Sequence, residues 1–221
     1  SVDDVSKLDT AVCNRALRSN FLDVLHDKCI FHELDTCTDP LSWAVRNCLT
    51  FRKASMRNTQ CLRDVVRAIG AKLESLTVIF CGPEDYEDDV DNSSYDVMKA
   101  VRHKCHNLKY LRLYGFEICT QFERVIRQNP QLSEIELDSS VNLLRGTIRK
   151  CVEAPSVHSL RLSYAKFGDE LDDSSFGISS RLTTLNLWMT NLTGEACVRL
   201  CSGFANLTDL KISLLGANTD L

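Results

Sequence analysis

Leu108-Lys-Tyr-Leu111-Arg-Leu113 is the phrase on which the reading of this chain turns. It returns as Leu132-Ser-Glu-Ile135-Glu-Leu137, Val157-His-Ser-Leu160-Arg-Leu162, Leu182-Thr-Thr-Leu185-Asn-Leu187 and Leu207-Thr-Asp-Leu210-Lys-Ile212. The first positions stand at 108, 132, 157, 182 and 207, so the interval is 24 residues once and 25 three times. Composition alone does not produce five in-phase copies at so constant an interval. A degenerate copy, Leu73-Glu-Ser-Leu76-Thr-Val78, lies 35 residues upstream of the first.

Each phrase has apolar residues at positions 1, 4 and 6. The alternation at 4 and 6 is that of a strand, whose successive side chains point to opposite faces. A unit of this length cannot bury its apolar positions alone, but a stack of units can. Between the phrases run segments with apolar residues on one helical face, at 61–69, 95–104, 119–128, 141–152 and 194–204. Val97, Met98 and Val101 mark one such face, and Phe122, Val125 and Ile126 another. Gly70 is a natural stop for the first helix. The repeat between 162 and 182 carries the polar Asp169-Glu-Leu-Asp-Asp-Ser-Ser-Phe-Gly instead, so a loop or tight turn is expected there.

The expected fold is therefore α/β: a right-handed solenoid with a curved parallel sheet inside and helices outside. Curvature follows because strands stack about 4.8 Å apart and helices need more room. The repeat domain is expected over 46–221, opening with an atypical strand at Leu49-Thr-Phe51. Residues 1–45 are expected to form a helical cap over its apolar end, with amphipathic runs around Leu8 and Ala11 and then Leu17, Phe21 and Leu22. A short helix at 41–45 would pack Trp43 on the core. The acidic run 83–94 reads as a solvated insertion that explains the long first interval. It lacks the residue order of a calcium-binding helix–loop–helix.

The phrase and its period resemble the leucine-rich repeat superfamily over 46–221. Cys105-His-Asn-Leu108-Lys-Tyr-Leu111-Arg-Leu113, and Leu192-Thr-Gly-Glu-Ala, are similar to its cysteine-containing subclass. That subclass is frequent in F-box substrate receptors. Asp4-Val-Ser-Lys-Leu8-Asp-Thr-Ala11-Val12-Cys13 loosely resembles the second half of an F-box, whose first helix is missing here. The resemblance implies substrate recognition for an F-box-type ubiquitin ligase, with a ligase adaptor at the N-terminal helices.

The chain has 221 residues, 44% of them hydrophobic, enough for one large or two small cores. Its 26 basic and 30 acidic residues give a net charge of −4, which offers no electrostatic reason to expect nucleic acid or an anionic membrane. No apolar run reaches the roughly 18 residues needed to span a bilayer. The polar start Ser1-Val-Asp-Asp-Val argues against a signal peptide, and without Met it is expected to lie inside a longer chain. The 11 cysteines sit mostly at apolar positions such as Cys105, Cys151, Cys197 and Cys201, the pattern of buried free thiols. Sequons at Asn92, Asn191 and Asn206 are read as incidental, and the expected location is cytoplasmic or nuclear.

Alternation also names the outward positions, 3, 5 and 7 of each phrase. Tyr110, Arg112, Tyr114, Glu134, Glu136, Arg161 and Trp188 are the candidate protein-binding residues of the concave face. Arg112, Glu136 and Arg161 would be lateral neighbours in an ion-pair ladder of small energetic weight. Tyr110, Tyr114 and Trp188 are the side-chain types that anchor interfaces. His26, Cys29, His32 and Cys37 have zinc-ligand chemistry but not the spacing of paired knuckles, so no metal is assigned. No phosphate loop, nucleophile elbow or His-Glu-x-x-His motif is present, and no cofactor or catalytic residue is expected. The leading expectation is a protein–protein interaction module. The alternative is a regulator of an enzyme or small GTPase acting through the repeat surface.

Overall fold

The computed structural model describes residues 17–22, 31–35, 51–57, 62–79, 90–116, 118, 120–138, 147–164, 181–190, 195, 198 and 202–214. The phrases become strands of one parallel sheet. Its eight members run β1 (Phe31–Asp35), β2 (Phe51–Arg57), β3 (Ser75–Ile79), β4 (Tyr110–Tyr114), β5 (Glu134–Asp138), β6 (Ser159–Ser163), β7 (Thr184–Thr190) and β8 (Asp209–Leu214). Their spatial order is their order in the chain, and every neighbouring pair is parallel.

The register follows the repeat. Leu76, Leu111, Ile135, Leu160, Leu185 and Leu210 lie side by side, as do Val78, Leu113, Leu137, Leu162, Leu187 and Ile212. All but the two on β8 are buried. A fully buried aliphatic side chain contributes about 1.5–3 kcal/mol relative to an exposed one, so these two rows alone hold a large part of the core. Between the strands lie α1 (Leu62–Ile69), α2 (Val90–Lys104), α3 (Thr120–Gln128) and α4 (Thr147–Glu153). Val65, Val66, Val101, Phe122, Val125 and Ile148 from these helices join the strand leucines in one cluster.

A second ladder ties each repeat to the next at the strand entrance. The amides at positions 2 and 3 both donate to the position-2 carbonyl of the preceding repeat. Ser133 and Glu134 donate to the Lys109 carbonyl at 2.9 and 3.1 Å, and Thr208 and Asp209 donate to that of Thr183, both at 2.9 Å. Where position 2 is Ser or Thr, the hydroxyl donates to the same carbonyl, as Ser133, Thr183 and Thr208 do. At the strand exit, position 8 takes a left-handed conformation in three repeats: Gly115, Tyr164 and Met189, with φ of 69°, 52° and 51°.

The sheet starts earlier than the sequence suggests. β1 lies inside the stretch assigned to the helical cap, and β2 begins where the expected 49–51 strand ends. Their phrases are Phe31-His-Glu-Leu34-Asp-Thr and Phe51-Arg-Lys-Ala54-Ser-Met56, which set Phe31 against Phe51 and Leu34 against Ala54. Phe at position 1 and Ala at position 4 hide the pattern. The three-residue interval from Cys29 to His32 reads instead as a helix. Of the four residues with zinc-ligand chemistry His32 lies on β1, while His26, Cys29 and Cys37 lie outside the described residues.

The acidic insertion also needs correcting. Residues 90–94 are the start of α2, and Ser94 is buried. Carboxylate-rich sequence suits a helix N-terminus, where the macrodipole is positive, so charge here marks a helix entrance as well as a loop. Residues 83–89 and the expected loop at 169–177 lie outside the described residues, as do Trp43 and the F-box-like phrase at 4–13. Residues 17–22 are helical, and Phe21 and Leu22 pack against the core.

Candidate functional site

The sheet face opposite the leucine rows carries positions 3, 5 and 7. Register sets Tyr110, Glu134 and Ser159 in one row, Arg112, Glu136, Arg161 and Asn186 in a second, and Tyr114, Asp138, Ser163 and Trp188 in a third. All seven candidate residues therefore share this face, on β4 to β7.

Four of the seven touch. Glu136 is the hub: the Tyr110 hydroxyl donates to its Oε2 at 2.9 Å. Its Oε1 lies 3.3 Å from Arg112 Nε, and Oε2 lies 4.0 Å from the Arg161 guanidinium. Arg112 reaches on to Asp138 and donates to Oδ2 at 3.2 Å. Burial, the Glu136 hydrogen bond and the Glu136 charge push the Tyr110 phenol up to about 12, so it stays a neutral donor over the physiological range. Desolvation works against the charge on Arg112, but Glu136 and Asp138 outweigh it and hold the proton more firmly. The cluster is thus a fixed polar plate rather than a set of free charges.

Tyr114 and Trp188 stand apart from the plate, 36% and 49% exposed. Glu134 lies beside Tyr110 in register, but its carboxylate makes no hydrogen bond or ion pair among the described residues. Two residues escaped the sequence argument. Asp138, at position 7, is only 9% exposed, and its Oδ1 has no hydrogen-bond partner among the described residues. The signal was available, since a carboxylate at an outward position next to an outward Arg invites pairing. Tyr164, at position 8, is 50% exposed, and its amide donates to the Trp188 carbonyl at 2.8 Å. It follows the phrase, where alternation no longer predicts direction.

Elsewhere the chemistry is quieter. Burial pushes the thiols of Cys105 and Cys151 up to about 12, which makes them poor nucleophiles at neutral pH. A cavity of about 230 Å³ lies between α3 and α4, lined by Glu123, Ile126, Arg127, Lys150, Glu153 and Pro155 among others. Its charges are already engaged, Arg127 with Glu123 and Lys150 with Glu153. Among the described residues no group of three or more His, Cys, Asp or Glu is placed to hold a metal ion. No helix among them is long and apolar enough to cross a membrane. No protein-family model, curated protein or solved structure matches the chain.

Proposed function

We propose that this chain is a leucine-rich repeat solenoid that captures a protein partner on the open, concave face of its sheet. The observation that carries the reading is the exposure of Tyr114 and Trp188 on either side of a hydrogen-bonded polar plate. Aromatic anchors beside preorganised polar groups concentrate binding energy because little side-chain freedom remains to be lost on binding. The repeat assignment draws support from the 24- and 25-residue intervals and from the identical lateral register of successive strands.

Within this reading the chain is the substrate-recognising part of an F-box-type ubiquitin-ligase receptor, with the adaptor on the N-terminal helices. The test is affinity purification with the wild-type chain and with Tyr114→Ala/Trp188→Ala. The expected result is loss of the captured partner with the melting temperature nearly unchanged, since both side chains are exposed. Unchanged capture would remove the sheet face as the binding surface. Co-purification of a ligase adaptor with wild type and variant alike would assign the second contact to the N-terminal helices.

A further inference from the structure

The polar plate leaves one carboxylate oxygen unanswered. Asp138 is nine-tenths buried, its Oδ2 accepts from Arg112, and its Oδ1 accepts from no donor among the described residues. A buried acceptor without a donor is costly and is rare in a finished structure. Its surroundings are specific. In the position-7 row Asp138 stands between Tyr114 and Ser163, and Ser163 stands next to Trp188. Tyr114 and Trp188 are three strand spacings apart, about 14 Å between backbones. Between these two exposed residues Asp138 is buried and Ser163 half-buried, so the row is lower in its middle than at its aromatic ends.

Aromatic walls with a carboxylate at the floor suit a cation on an aliphatic stem. The π faces and the carboxylate attract the charge, and the rings pack on the methylenes. Within this row Asp138 is the only charged residue between Ile79 and Ser213. We propose that the gap between Tyr114 and Trp188 receives a lysine or arginine side chain of the partner, which donates to Asp138 Oδ1. This rests on the proposed sheet-face binding and names the chemistry of its central contact. Oδ1 is covered in the free chain, so the incoming donor must displace its neighbours. Arg112 stays on Oδ2, which keeps the carboxylate oriented for the second cation.

The experiment uses n-butylguanidinium and n-butylammonium as probes, with n-butanol at matched ionic strength as the neutral control. The chain has two tryptophans and so two indole N–H resonances; loss of one in Trp188→Phe assigns it. The expected result is a saturable shift of the Trp188 signal with either cation and none with butanol. Affinity should fall at least several-fold in Asp138→Asn and in Tyr114→Ala, the second serving should the first not fold. A butanol response equal to that of the cations overturns the proposal, as does wild-type affinity in Tyr114→Ala or in folded Asp138→Asn. No cation binding, together with partner capture that still depends on Tyr114 and Trp188, removes the cation pocket alone. Loss of that dependence as well removes the sheet-face reading.

Discussion

β7 and β8 carry the same phrase one repeat apart and meet opposite fates. Leu185 and Leu187 are 1% and 0% exposed, whereas Leu210 and Ile212 are 43% and 42% exposed. The two strands pair in register from Thr184 to Trp188, across all four of these residues, so local structure is not the difference. Among the described residues β8 has a neighbouring strand on one side only. The phrase therefore encodes a strand and the face its leucines take. Burial comes from the next repeat in the stack, the nearest-neighbour logic of a linear repeat array.

The sharpest way to break this comparison is to truncate both rows. Leu187→Ala is expected to cost about 2–5 kcal/mol, the range for a fully buried leucine. Ile212→Ala should cost less than half as much, because water already reaches that side chain. Denaturant midpoints of the two variants decide it; equal losses would mean that β8 is covered in solution.

A smaller effect tests the same principle in the turn before the strand. Gly70 and Phe204 hold one repeat position, three residues ahead of Leu73 and Leu207. A Cβ on Gly70 would lie 2.9 Å from Lys104 Cβ and 3.0 Å from Cys105 Sγ, because the end of α2 packs over it. Gly70→Ala should therefore destabilise by about 1–3 kcal/mol, as overpacking does. Loss of thermal stability checks this, and a neutral result would show that the first repeats are spaced more loosely than described.

The smallest expected effect contrasts the plate with the aromatics around it. The Tyr110 pKa is raised in the folded chain, to about 12 against an ordinary 10. Below pH 10 the phenol is neutral in both states and its contribution is fully present. As pH rises from 10 to 12 the unfolded chain loses that proton first, so the contribution falls away. Phenolate absorbance should show one late-titrating tyrosine, and Glu136→Gln should move it towards the others. A wild-type titration without a late component would mean that the plate is open to water.

Much of this molecule is legible in the chain. Positions 4 and 6 name the buried rows because apolar alternation has only one face to bury, and the four intervals of 24 or 25 residues fix which residues are lateral neighbours. The early strands are less legible. β1 and β2 have Phe at position 1, and β2 has Ala at position 4 and Met at position 6, so their pattern emerges only beside β3. The start of α2 is hidden because acidic residues suit both a loop and a helix entrance.

The site divides along the same line. Alternation along the phrases already puts Tyr110, Arg112, Tyr114, Glu134, Glu136, Arg161 and Trp188 on one face, because the strand period is two. Tertiary packing alone set that the Tyr110 hydroxyl joins the expected Arg112–Glu136–Arg161 ladder, that Asp138 is buried with one oxygen unpaired among the described residues, and that Tyr164 stands exposed after β6. The reason is physical: a period determines the direction of a side chain, while contact and burial depend on what the neighbouring strands bring alongside it.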